Sequence, residues 1–221
     1  MKSKIHPASG IFSSTLDAFT LLELLVVITI IGVLAGLSIP TGDMVMKTMR
    51  KMEASKTATE LRTAMMNYFS EYKRFPTLEE SGGVQKMSDG HSDGDTEVET
   101  SGDSGLISAL MAEPDNQVAE KLNRRGVQFF SAAKAKQKPE SQKGPGGLWK
   151  EGDQYELFDP WGNYYHIMFD SNGNGVIKPP SKTDGSSGEE LMAEVAVWSY
   201  GPDHEAGKGG NSKKNDDVYT Y

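Results

Sequence analysis

"AFTLLELLVVITIIGVLAGLSIP", residues 18–40, is almost continuous hydrocarbon, yet it carries a glutamate, Glu23, five residues in. From Leu24 to Ile39 only Thr29 and Ser38 interrupt the apolar run with hydroxyls, and with Phe19 to Leu22 it reaches the roughly 20 residues that a membrane-spanning helix needs. Lys2 and Lys4 precede it. Cationic flanks stay on the cytoplasmic side, so whatever follows residue 40 is expected to face away from the cytoplasm.

Three readings of this segment compete. A cleaved secretory signal has a short apolar core and a small-residue site, for which "VLA" at Val33–Ala35 could serve, but this run is too long and contains Glu23. A plain single-pass anchor explains the hydrophobicity and leaves the carboxylate to snorkel. In the third reading Glu23 awaits a cation. A charge in hydrocarbon costs about 2.5–3.5 kcal/mol on insertion scales, so such residues pair and mark function. Cleavage between Ala18 and Phe19 would create that cation, a new amine one helical turn from Glu23.

The rest of the composition narrows the alternatives. The chain has 221 residues, a formal net charge of −8 and no cysteine, which excludes a disulfide scaffold and a thiolate metal site. The basic stretches "NRR" and "KAKQK" are too short for a phosphate backbone, so nucleic acid is not an expected partner. Beyond "PTGD", residues Ala54, Ala58, Leu61, Met65, Tyr68 and Tyr72 recur at steps of four and three, the stripe of an amphipathic helix that Pro76 closes. Were residues 19–74 one helix, it would run about 84 Å at about 1.5 Å per residue, much longer than a bilayer is thick. The apolar runs "YELF", "YYHIMF" and "VAVWS", set off by "DPWGN" and "GPD", read as strands of a small antiparallel sheet. The expected class is therefore α+β, a long amino-terminal helix packed on that sheet.

Residues 18–40 resemble the amino-terminal motif of type IV prepilins and of the major pseudopilins of type II secretion: a basic leader, a small residue, Phe, Thr, two apolar residues, Glu, a long apolar stretch and Pro. "YFSEYKRFPTLEESGG", "GLISALMAEP", "DPWGNYY" and "VWSYGPD" with the late "DDV" resemble further parts of those pseudopilins. The resemblance implies a leader at 1–18, cleavage after Ala18 by a prepilin peptidase, methylation of the Phe19 amine, and neutralisation of that amine by Glu23 of a neighbouring subunit. Ala18 stands where the family usually has Gly. Pro40 stands where the family has a helix-loosening proline.

The implied organisation is a membrane and assembly helix at 19–40, its soluble half at 41–75 and a globular domain at 76–221, with polar loops near 85–105 and 132–147. The implied location is the bacterial inner membrane, with the domain on the periplasmic side, and the implied partners are other copies of the chain and a secretion or pilus assembly platform. A minor or competence-type pilin and a monomeric membrane-anchored binding protein are the alternatives.

The family's terminal loop binds calcium, and the matching positions here are Ser199, Asp203 and Asp217, although His204 stands where the family usually has Gly. "DSNGNGVI" matches the opening of an EF-hand loop at Asp170, Asn172, Asn174 and Gly175, but its twelfth position is Ser181 rather than Glu, and the Asn-Gly pairs favour a hairpin. Of the four histidines, His6 lies in the leader, His91 in a polar loop and His166 in a strand; a set of Ser199, His204 and Asp203 can be drawn, but neighbours in one loop rarely make a triad, so no enzyme is expected. Trp149, Trp161 and Trp198 are expected to anchor the core.

Overall fold

The structure is a computed structural model, and it describes residues 19–38, 42–76, 95–139, 146–180, 188–205 and 217–221. The chain divides into two compact units, Met1–Val45 and Met46–Tyr221.

In the first unit, α1 spans Leu21–Ser38. Its large side chains from Leu21 to Leu34 are exposed all round the helix. A helix apolar on every face belongs in hydrocarbon or among other helices. Among the described residues no helix is long and apolar enough to cross a membrane. At about 1.5 Å per residue the described α1 covers about 27 Å, against a hydrocarbon core of about 30 Å. Continuity of α1 with the next helix turns on residues 39–41, outside the described residues.

Helix α2 spans Gly42–Tyr72. The expected stripe is its inner face: Ala54, Ala58, Leu61, Met65 and Tyr68 are fully buried, with Tyr72 half-buried. The helix stops four residues before Pro76. Lys73 takes a left-handed φ of 56° and its N–H bonds Phe69 O at 2.7 Å, which ends the ladder.

Four strands form the main sheet in the order β1 (Thr96–Glu99), β4 (His166–Phe169), β5 (Val195–Ser199), β6 (Val218–Thr220), all antiparallel. Val98, Ile167, Phe169, Val195 and Val197 pack in one core with α2. The opposite face gathers Met168, Ala196 and Trp198 in a second cluster with Ile177. Arg62 Nε donates to Val195 O at 3.2 Å, an additional tie between α2 and the sheet. A separate hairpin pairs β2 (Gly147–Glu151) with β3 (Gln154–Phe158). Two short helices, α3 (Leu106–Met111) and α4 (Gln117–Leu122), add Leu106, Ile107, Leu110 and Leu122 to the first core.

Several particulars differ from the reading of the sequence. Thr96–Glu99 lies within the stretch read as a polar loop and is an edge strand. Its glutamates alternate around Val98, whose side chain enters the core, and Glu97 is itself buried. Thr100, just after it, joins the two sheets: its N–H bonds Tyr165 O at 2.9 Å, its carbonyl accepts from Leu157 N at 3.0 Å, and its hydroxyl bonds Leu157 O at 2.7 Å and accepts from Tyr165 N at 2.9 Å. The Asn-Gly pairs do not make a tight hairpin. They lie in the connection 170–194 between β4 and β5, whose pairing starts at Phe169 and Val195. Of the three tryptophans only Trp198 is fully buried.

Candidate functional site

Two places gather polar residues singled out by the sequence: the start of α1 and the end of the sheet where "DPWGN" meets "SYGPDH".

At the start of α1, Thr20 and Glu23 form a reciprocal cap. Thr20 Oγ1 accepts from Glu23 N at 3.2 Å, while Glu23 Oε2 accepts from Thr20 N at 3.1 Å and from Thr20 Oγ1 at 3.0 Å. Leu24 N closes the first turn on Thr20 O at 3.2 Å. This is the capping box, in which a Thr and a Glu three residues on satisfy each other's backbone donors. The carboxylate also sits at the positive end of the helix dipole. The T-x-x-E spacing was visible in the sequence, where only the charge of Glu23 drew attention. Both bonds fall on Oε2. Phe19, next to the cap, is 77% exposed. Ala18 and Pro40 lie outside the described residues.

At the other place, Asp159 is the hub. It is fully buried, and its Oδ1 accepts from Trp161 N and Asn163 N, both at 2.8 Å, which folds "DPWGN" into a turn. Asp159 N donates to Asn163 O at 2.8 Å, and Gly162 adopts the positive φ of 92° that the turn needs. Oδ2 accepts from Asn163 Nδ2 at 2.9 Å and from the hydroxyl of Ser199, at the end of β5. Burial pushes the Asp159 carboxyl above the usual range, and the bonds from Ser199 and Asn163 oppose that push.

Asn163 carries the network onward. Its Nδ2 also donates to Gly201 O at 2.8 Å, and its Oδ1 pairs with His204 Nδ1, which fixes a proton on that nitrogen. His204 has a left-handed φ of 63°, a conformation glycine adopts without strain, which accounts for Gly being usual at this position in the resembling family. The two motifs read separately in the sequence are thus one latch.

Ser199, Asp203 and Asp217 are placed as follows. Ser199 is fully buried; its Oγ donates to Asp159 and accepts from Gly201 N at 3.1 Å. Asp203 ends the short 3-10 turn Gly201–Asp203, and its Oδ1 accepts from Glu205 N at 3.1 Å. Asp217 is buried one residue before Val218, the β6 partner of Ser199, and accepts from Tyr219 OH at 2.9 Å. Among the described residues no group of three His, Cys, Asp or Glu side chains is placed to hold a metal ion. Ser199, His204 and Asp203 do not form a triad, because the serine turns to Asp159 and the histidine to Asn163.

His166, on β4, is buried rather than exposed. Its Nδ1 lies 3.3 Å from Glu97 Oε1 and its Nε2 lies 3.8 Å from Glu99 Oε1, and its ring stacks on Trp198 at 5.5 Å. That arrangement sets the two carboxylates of the edge strand β1 beside the His166 ring.

Residues 17–39 match the family model described as the prokaryotic N-terminal methylation motif, the signal of type IV prepilin-like proteins. Comparison with curated proteins and with solved structures gave no match. The motif implies processing by a prepilin peptidase, assembly into filaments in general, and a place in a membrane or filament. It is typical of structural pilin-like proteins rather than of enzymes.

Proposed function

We propose that the chain is a structural subunit of a type II secretion pseudopilus or a type IV pilus-like filament. The observation that carries this is the methylation motif at 17–39 followed by a helix, α2, whose inner face packs on an antiparallel sheet. In this reading residues 1–18 are removed after Ala18, the Phe19 amine is methylated, and the apolar segment spans the inner membrane with the sheet domain on the periplasmic side. Glu23 then has two partners in turn. Before assembly Thr20 occupies Oε2; during assembly Oε1, which carries no bond among the described residues, takes the Phe19 amine of a neighbour drawn from the membrane by the assembly platform. The amine removes the cost of a carboxylate in hydrocarbon, so Glu23 sets the register between subunits.

Calcium belongs to the same proposal, with Ser199, Asp203 and Asp217 as its positions. Asp203 and Asp217 lie on either side of residues 206–216, and hard cations favour such carboxylates with carbonyl oxygens. Ser199, whose Oγ donates to Asp159 and accepts from Gly201 N, completes the proposed set with Asp203 and Asp217. Bound calcium would supply positive charge between these carboxylates and tie β6 to the turn Gly201–Asp203.

The test is intact-mass and amino-terminal peptide analysis of the protein from its native membrane, with Glu23→Val beside it. A mature chain starting at methylated Phe19, with the variant processed but not assembled, is the expected result. An unprocessed Met1 chain in both overturns the proposal.

A further inference from the structure

Residues 170–176, "DSNGNGV", contain two consecutive Asn-Gly pairs, and the filament reading uses neither. Gly173 and Gly175 each have φ 76°, a conformation that makes glycine the favoured residue at both positions. The loop therefore has an Asn-Gly liability built into its backbone. In such pairs the backbone nitrogen of the glycine attacks the asparagine side-chain carbon: an N–C bond forms, the carbon–amide nitrogen bond breaks, ammonia leaves, and water opens the cyclic imide to aspartate or isoaspartate. The attacking nitrogen must first lose its proton.

Both attacking nitrogens are held by one carboxylate. Gly173 N, the nucleophile for Asn172, donates to Asp170 Oδ1 at 2.6 Å, and Gly175 N, the nucleophile for Asn174, donates to Asp170 Oδ2 at 2.7 Å. A carboxylate in contact with an N–H opposes formation of the amide anion, because it places two negative charges side by side. The side chains under attack are also held. Asn172 Oδ1 accepts from Asn174 N at 2.9 Å and its Nδ2 donates to Asp95 Oδ1 at 3.1 Å, while Asn174 Oδ1 accepts from Val176 N at 2.8 Å. Asp170 is 8% exposed and its own N–H is fixed to Glu194 O at 2.9 Å, so the carboxylate has little freedom to leave. Residues 171–175 are exposed, so water is at hand.

We infer that Asn172 and Asn174 are a pair of latent deamidation sites that the Asp170 carboxylate keeps closed by holding the nitrogens of Gly173 and Gly175. Asp170 is a positioning residue here, and its role is independent of the filament assignment.

The experiment compares the full-length, detergent-solubilised chain, native and unfolded in urea, with a folded Asp170→Ser variant, incubated in mildly alkaline buffer and followed by peptide mass mapping and isoaspartate detection. The native wild type keeps both asparagines while its unfolded form loses them. The variant, with near-UV circular dichroism like wild type, deamidates at both positions about ten- to a hundredfold faster, the range of one hydrogen bond to a charged group. Native wild type reacting as fast as the unfolded chain, or a folded variant as inert as wild type, overturns the inference. If the variant does not fold, amide exchange in the wild type decides: slow exchange at Gly173 and Gly175 supports the inference, and exchange at the rate of an unstructured peptide overturns it.

Discussion

Replacing Asp159 by alanine tests whether the latch between "DPWGN" and "SYGPDH" holds the end of the sheet. The change removes the acceptor of four bonds at once, from Trp161 N, Asn163 N, Asn163 Nδ2 and Ser199 Oγ. Two of those donors keep another contact, Asn163 Nδ2 with Gly201 O and Ser199 Oγ with Gly201 N. Those contacts use the second amide hydrogen of Asn163 and a lone pair of Ser199 Oγ, so all four donor hydrogens lose their acceptor. Against that loss stands the desolvation of the carboxylate, which the upward push on its titration already signals. Leaving buried donors without an acceptor costs about 1–3 kcal/mol each, partly offset by removing the buried carboxylate, and we expect Asp159→Ala to cost about 3–5 kcal/mol. For a domain of this size that is a drop in melting temperature of roughly 6–20 °C. Urea unfolding followed by tryptophan fluorescence gives the number, since Trp161 adjoins the turn and Trp198 lies in β5. A loss below about 1 kcal/mol, the value of one ordinary hydrogen bond, would refute the latch as a stabilising element.

The pH dependence of the same comparison has a definite sign. A carboxyl whose titration is raised on folding binds more protons in the folded state, so the contribution of Asp159 falls as pH rises from the ordinary carboxylate range through its raised folded value. The wild-type advantage over Asp159→Ala should thus be larger at acid pH than at neutral pH in equilibrium urea titrations. Burial likewise pushes Tyr68 and Tyr164 up to about 12, so their stabilisation is complete below the ordinary phenol range and is lost as pH climbs through about 12; spectroscopic titration should show these two ionising late. Thr20→Ala should loosen the first turn of α1 by about 1 kcal/mol while leaving cleavage intact, seen as faster amide exchange at Glu23 and Leu24. Leu61→Ala should cost about 2–5 kcal/mol in urea unfolding, because the side chain is fully buried between α2 and the sheet. Calcium at one hundred times its dissociation constant should stabilise the domain by about 2.7 kcal/mol, an increment that Asp217→Ala abolishes; equal melting curves with calcium and with chelator would remove the ion from the proposal.

What the sequence determined by itself was whatever depends on neighbours within a turn or two. The apolar run with Glu23, the T-x-x-E cap, the stripe from Ala54 to Tyr72 and the turn at "DPWGN" are all local patterns, and each appears where its spacing puts it. Tertiary structure decided the rest. Thr96–Glu99 reads as acidic loop because half of its residues are glutamates, and it becomes a strand because β4 offers an open edge and His166 lies against both carboxylates. Ser199 draws attention by its position in a motif, and its hydroxyl bonds Asp159, forty residues earlier, because β5 ends beside the turn. A buried polar group must find a partner, and which one it finds is set by the packing of distant segments, information that no short window of sequence contains.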